Sequence, residues 1–149
     1  MLLGLFIILL SFFGMEITAW FTHKYIMHGL MWYFHRDHHD HSNVGVFEKN
    51  DFFFLIFAVP SWLGIMFGAM KGFDFKFYIG IGILVYGIAY FLVHEVIIHQ
   101  RLKWFSKSNN WYVKGIIRAH KIHHKQIGKY ESENFGMLIV PFRYFKTGS

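Results

Sequence analysis

Cysteine is absent from all 149 residues. That removes disulfides, thiolate metal sites, iron–sulfur clusters and cysteine nucleophiles from the available chemistry, and it leaves the redox compartment open. Charge is scarce as well: 16% of residues are charged, against about 25% in a typical soluble domain. Residues 1–22 contain no lysine or arginine, and the runs 52–70 and 77–93 contain no charged residue of either sign. The net charge is +6, but it is too unevenly placed to suggest a nucleic-acid partner and points to a membrane.

What fills the space is apolar: 54% of the chain is hydrophobic and 21% aromatic. "MLLGLFIILLSFFGMEITAWFT" (1–22) carries one charge, Glu16, while "FFFLIFAVPSWLGIMFGAM" (52–70) and "FYIGIGILVYGIAYFLV" (77–93) carry none. A bilayer-spanning helix needs about 20 mostly apolar residues. A helix that is apolar all round belongs in lipid or deep in a core, and a chain this short has no core for three. The first run lacks the basic region and small-residue cleavage site of a leader, so it reads as a span. Pro60 inside the second reads as a kink.

The expected fold is therefore an all-α integral membrane protein. It forms a single domain over 1–149 with three to four transmembrane helices, the spans lying at about 1–22, 52–70 and 77–98. Lys and Arg number three in 23–51, two in 71–76 and ten in 100–149. The positive-inside rule puts the first and last of these stretches in the cytoplasm. The ends of spans one and three then share one membrane face.

All eleven histidines lie at or beyond those ends. His23 and His28 form H-x4-H, and His35, His38 and His39 form H-x2-H-H. His94 and His99 repeat the first pattern, and His120, His123 and His124 repeat the second. Only His41 falls outside the duplication, and it reads as a non-ligand. On a helix advancing about 100° per residue, the three imidazoles of H-x2-H-H share one face and can point at a common site. The two of H-x4-H fall about 140° apart. They reach two ions on either flank, or one ion where the helix is locally distorted, as in a π-bulge. Ten imidazoles exceed what one ion takes, so the set reads as a dinuclear centre. Imidazole suits Zn, Cu, Fe or Ni. Histidine-held metals with open positions, in a chain without cysteine, suit iron and dioxygen.

The motifs "HKYIMH", "HRDHH", "HEVIIH" and "HKIHH", with the neighbourhoods "HKYIMHG" and "AHKIHH", resemble those of the bacterial β-carotene hydroxylases. These lie within the membrane fatty-acid hydroxylase and sterol desaturase superfamily. The likeness runs from Met15 to about Pro141. It implies a non-haem di-iron monooxygenase with two iron ions, in whose place a crystal can carry zinc, and O2 as co-substrate. The metal ligands it implies are His23, His28, His35, His38, His39, His94, His99, His120, His123 and His124. It also implies C3 hydroxylation of β-ionone rings, taking β-carotene through β-cryptoxanthin to zeaxanthin. The carotenoid would come from the bilayer and the electrons from ferredoxin or a similar donor, at the cytoplasmic face of a bacterial inner membrane.

Several residues keep two readings. Asp37, Asp40 and Glu95 either orient neighbouring imidazoles or are solvated charges. Asn134 is a candidate for supporting a metal-bound water. Glu16 is a functional carboxylate or merely pairs with a neighbour. The basic residues of 101–129 flank the membrane and bind anionic lipid, and can in addition dock an acidic donor. Aromatic residues near the helix ends anchor at the interface or line a substrate pocket. The rival activities are another hydroxylase, a desaturase or a carotenoid ketolase of the same superfamily. A metal transporter or store would need an ionisable path through the spans, and these offer only Glu16.

Overall fold

The computed structural model describes residues 1–40, 47–102, 108–126, 128–130 and 132–146. Helix α1 (Leu2–Phe21) continues without a break into a π-helical segment, Thr22–Leu30. At Gly29 (φ −107°, ψ −109°) the helical path ends, and α2 (Trp32–Asp40) begins in a new direction. A 3-10 turn, Lys49–Phe53, leads into α3 (Phe54–Met70), which runs through Pro60. Helix α4 (Phe75–Phe91) likewise passes into a π-helical segment, Leu92–Ile98. Then come α5 (Trp111–Lys125) and a last 3-10 turn, Phe142–Phe145. No strand occurs among the described residues.

Three helical stretches are long and apolar enough to cross a membrane: Leu2–Leu30, Lys49–Met70 and Phe75–Ile98. Only 17%, 17% and 22% of their most apolar windows are buried inside the protein. The remaining apolar surface demands lipid, because contiguous exposed apolar area of this extent is untenable in water. Helix α5 is fifteen residues long and mixes apolar with basic residues, so among the described residues the spans number three.

Helix α4 is the middle of the three. Gly80 and Gly82 point to opposite sides of it, as residues two apart on a helix do. A Cβ at Gly80 would lie 2.6 Å from the Ile65 backbone nitrogen on α3, and one at Gly82 would lie 2.5 Å from Ser11 Cβ on α1. Small residues let backbones approach where lipid offers no hydrophobic drive for helix association. Ser61 Oγ adds a bond to the Gly80 carbonyl at 2.9 Å. Gly4 meets Tyr78 and Phe12 meets Tyr86, so α1 and α4 run parallel, and α3 returns antiparallel between Phe77 and Ser61. The carboxyl ends of α1 and α4 therefore meet at one end of the bundle. At that end the interior is polar: His35, His38, His39 and His123 are among the largest fully buried side chains. A small apolar cluster of Ile116, Ala119, Val140 and Tyr144 packs α5 beneath them.

Candidate metal centre

Both H-x4-H motifs sit in the π-helical segments. There the hydrogen bonds run from residue i+5 back to i, as Met31 N–H to Ile26 O (2.8 Å) and His99 N–H to His94 O (2.9 Å) show. That winding brings residues five apart onto one side. The ring centroids of His23 and His28 are 5.2 Å apart, and those of His94 and His99 are 4.5 Å apart. Of the two geometries open to H-x4-H, the chain adopts the local distortion.

Nine histidines gather in two groups, with one ligand atom from each lying within 4.8 Å of all others in its group. Group one is His23, His28, His35, His39 and His123, and group two is His38, His94, His99 and His120. Each H-x2-H-H motif is thus divided rather than aimed at a single point. On α2, His35 and His39 are one turn apart and join group one, while His38 faces group two. On α5, His123 joins group one and His120 joins group two. His124 lies between them, its ring centroid 4.5 Å from those of His39 and His120 and 4.7 Å from that of His38. The tenth motif histidine therefore touches both groups.

The ring nitrogens are sorted. Nε2 atoms converge: His23 and His35 at 3.1 Å, His35 and His39 at 3.2 Å, His28 and His123 at 3.3 Å. In group two the separations are 3.3 Å for His38 and His94 and 2.9 Å for His99 and His120. Nδ1 atoms point outward to acceptors. His23 donates to the Phe135 carbonyl (3.2 Å), His28 to that of Lys129 (3.1 Å), His39 to that of Gln126 (3.2 Å) and His123 to that of Glu133 (3.0 Å). His35 donates to Asn50 Oδ1, and His38 to Glu48 Oε2, each at 2.7 Å. His94 donates to Glu95 Oε1. A carbonyl or carboxylate oxygen can only accept, so Nδ1 carries the proton and the Nε2 lone pair faces inward.

That arrangement fits a metal. Imidazoles bound at about 2.0–2.1 Å hold their nitrogens about 2.8–3.4 Å apart around an octahedral or tetrahedral ion, which is the spacing seen. Burial, followed by the neighbouring imidazoles, keeps His38 and His120 neutral to well below the usual imidazole range. Burial and His39 bring His123 down to about 3, and the same two causes lower His124. Ligand imidazoles must be neutral, and these are.

The anchors differ between groups. Group one leans on four backbone carbonyls and one amide, all neutral. Group two has two carboxylates, and Arg101 ties these together: it lies 2.8 Å from Glu48, 2.9 Å from Glu95 and 3.0 Å from Asp51. Burial alone would lower the Arg101 pKa, but Glu95 and its other acidic partners raise it; burial raises that of Glu48.

Glu95 therefore touches a histidine. Asp37 instead accepts the Lys49 N–H at 2.9 Å and holds the turn before α3. The Nδ2 of Asn134 bonds the Gly136 carbonyl at 3.4 Å, and its backbone is left-handed (φ 58°) between Glu133 and Phe135, whose carbonyls anchor two of the imidazoles. His41 and the side chain of Asp40 lie outside the described residues. Sequence reasoning missed Asn50, Glu48 and Arg101, and no short-range pattern marks them. The carbonyl anchors are invisible in side-chain identity altogether.

Against the centre opens an apolar cavity of about 940 Å³ between the helices, walled by residues such as Phe54, Phe57, Ile65, Leu84 and Phe91. Of the ten motif histidines His23 lines it, and Asn50, Glu95 and Arg101 stand at the same end.

The fatty acid hydroxylase family matches residues 8–147. The chain is 38% identical to a β-carotene hydroxylase of Pantoea ananas, over 91% of this chain and 76% of that protein. It is 39% identical to a β-carotene hydroxylase of Pseudescherichia vulneris, over 93% of this chain and 77% of the relative. A chloroplastic β-carotene 3-hydroxylase of Haematococcus lacustris is 36% identical over 86% of this chain and 40% of its own length. No solved structure matches.

Proposed function

This chain belongs to the fatty acid hydroxylase family, and we propose on that premise that it hydroxylates the β-ionone ring of a carotenoid at C3. The observation that carries the proposal is the sorted histidine shell beside an apolar cavity that His23 lines. The balanced reaction converts R–H, O2, two electrons and two protons into R–OH and water. Two iron ions are the cofactor: one held by His23, His28, His35, His39 and His123, the other by His38, His94, His99 and His120, with His124 within reach of both. Iron bound there supplies the activation of O2 that an unactivated C–H bond requires, because such a bond offers side chains no acid, base or electrophile to work on.

The protein's own residues do the rest. Phe54, Phe57 and Phe91 give the ring a dry wall that grips by shape alone. The outward Nδ1 bonds of His23, His28, His35, His38, His39, His94 and His123 hold their Nε2 atoms in place before an ion arrives, which keeps the centre preorganised. Asn50, Glu48 and Glu95 supply three of those bonds. The carotenoid enters from the bilayer, and the centre faces the cytoplasm of a bacterial inner membrane. Electrons come from an acidic carrier such as ferredoxin. Lys114, Lys121 and Lys125 are exposed on α5 while His120 and His123 of that helix are buried, which suits such a donor.

A metal transporter is disfavoured by the surroundings of Glu16, the one charged residue inside the apolar runs. Its carboxylate is engaged by backbone N–H groups and by Tyr86 and offers no path. The test is expression in cells that accumulate β-carotene, followed by chromatography of the pigment. Conversion to β-cryptoxanthin and zeaxanthin is expected. Unchanged β-carotene, with iron and reductant supplied, overturns the reading, and a different oxygenated lipid would favour another activity of the family. His123→Ala should abolish product while leaving membrane insertion intact.

A further inference from the structure

Glu16 is 6% exposed in the C-terminal third of α1. A buried charge of this kind is costly unless it is fully hydrogen-bonded. Oε1 accepts the backbone N–H groups of Met137 (3.0 Å), Leu138 (2.9 Å) and Ile139 (2.9 Å), and Oε2 accepts the Tyr86 hydroxyl at 2.8 Å. The three amides belong to the irregular strap 132–140, which follows α5. The same strap sends the Phe135 carbonyl to His23 Nδ1 and the Glu133 carbonyl to His123 Nδ1. Glu16 precedes His23 by seven residues, so both lie on one face of their helix two turns apart. The strap is thus gripped at one point by a carboxylate and grips two imidazoles a few residues upstream. Gly136 makes the intervening bend: a Cβ there would lie 2.4 Å from the Ile139 carbonyl oxygen.

We propose that Glu16 is a positioning residue of the metal centre, clamping the Met137–Ile139 amides so that the strap's carbonyls orient His23 and His123 for group one alone. The proposal rests on the two-ion reading. No residue of group two has an anchor on the strap among its described bonds: His38 and His94 use Glu48 and Glu95. Glu16 therefore affects one ion and spares the other.

Cobalt(II) titration of the full-length protein in detergent, read by visible absorption and by metal content, separates the two ideas without any carotenoid. The wild type should take up two cobalt ions per chain. Glu16→Gln keeps the shape but loses the charge and one acceptor. It should bind one ion as the wild type does and the other at least ~10-fold more weakly, the low end for loss of a group that orients a ligand. Tyr86→Phe keeps the three amide bonds and should move either site less than about threefold. If Glu16→Gln does not insert, Gly136→Ala keeps the Glu16 carboxylate and shifts the strap, its Cβ meeting the Ile139 carbonyl oxygen at 2.4 Å and Glu16 Oε1 only at an ordinary contact of 3.8 Å, and should give the same selective loss. Two ions bound by the tested variant with unchanged affinity, or both weakened alike, would overturn the proposal. A wild type that takes up a number other than two would instead overturn the two-ion reading beneath it.

Discussion

At the scale of the residue, a histidine ligand works through both nitrogens. The inward one is available because the outward one is spoken for. Asn50 makes the point: it is 8% exposed, and its Oδ1 holds His35. Asn50→Leu keeps the bulk and removes the acceptor. Metal affinity should fall about 10–100-fold, measured by competition with a coloured chelator; an unchanged affinity would mean that His35 needs no orienting. Protonation gives a second prediction. In the metal-free protein His123 has a pKa of about 3, below its unfolded value of about 6.5. Between those values the unfolded chain binds the proton and the folded one does not, so stability rises with pH across that window. Metal-free protein should therefore lose thermal stability as pH falls from about 6.5 towards 3, and His123→Gln should flatten that slope in a melting series.

At the scale of the element, the glycines of α4 carry the helix contacts. Gly80→Leu forces a side chain against the α3 backbone and should cost about 1–3 kcal/mol or more, seen as a lower melting temperature in detergent. A Cβ at Gly14 would meet nothing within 4 Å, so Gly14→Leu should change little and serves as the control. The elements were largely legible in the sequence. Long apolar runs with at most one charge announce spans because charge is costly in lipid, and the doubled histidine spacing announced the centre. The spacing also left open how H-x4-H folds, since 140° on a regular helix and a π-bulge are both consistent with it; the π-helical segments at Thr22–Leu30 and Leu92–Ile98 settle that point. The division of His35, His38 and His39 between groups was not legible. It depends on where α4 and α5 approach α2, which no local pattern encodes. Nor was the partnership of Glu16 with amides 121 to 123 residues away, because a backbone N–H has no residue-type signature.

At the scale of the whole molecule, two halves of different character meet. Three apolar helices present their surface to lipid, and a polar cap is built around imidazoles. The cap has little apolar core of its own, so ions should hold it together. Stripping both ions with a chelator should lower the melting temperature by on the order of 10–20 °C relative to protein with an ion excess of about 100 Kd at each site. Helical content by circular dichroism should persist, since lipid or detergent supports the spans. Collapse of the helices along with the cap would show that the two halves are not separable.

The order of synthesis adds a constraint. All ten motif histidines have left the ribosome once His124 is made and extruded, yet the carbonyls that hold His39, His28, His123 and His23 belong to residues 126, 129, 133 and 135. A nascent chain ending at residue 125 thus carries every imidazole and none of those four anchors. Group one becomes a finished receptor only after the spans and the strap that follows α5 have been made. Stalled chains of increasing length should therefore begin to retain a second ion only when the strap has emerged.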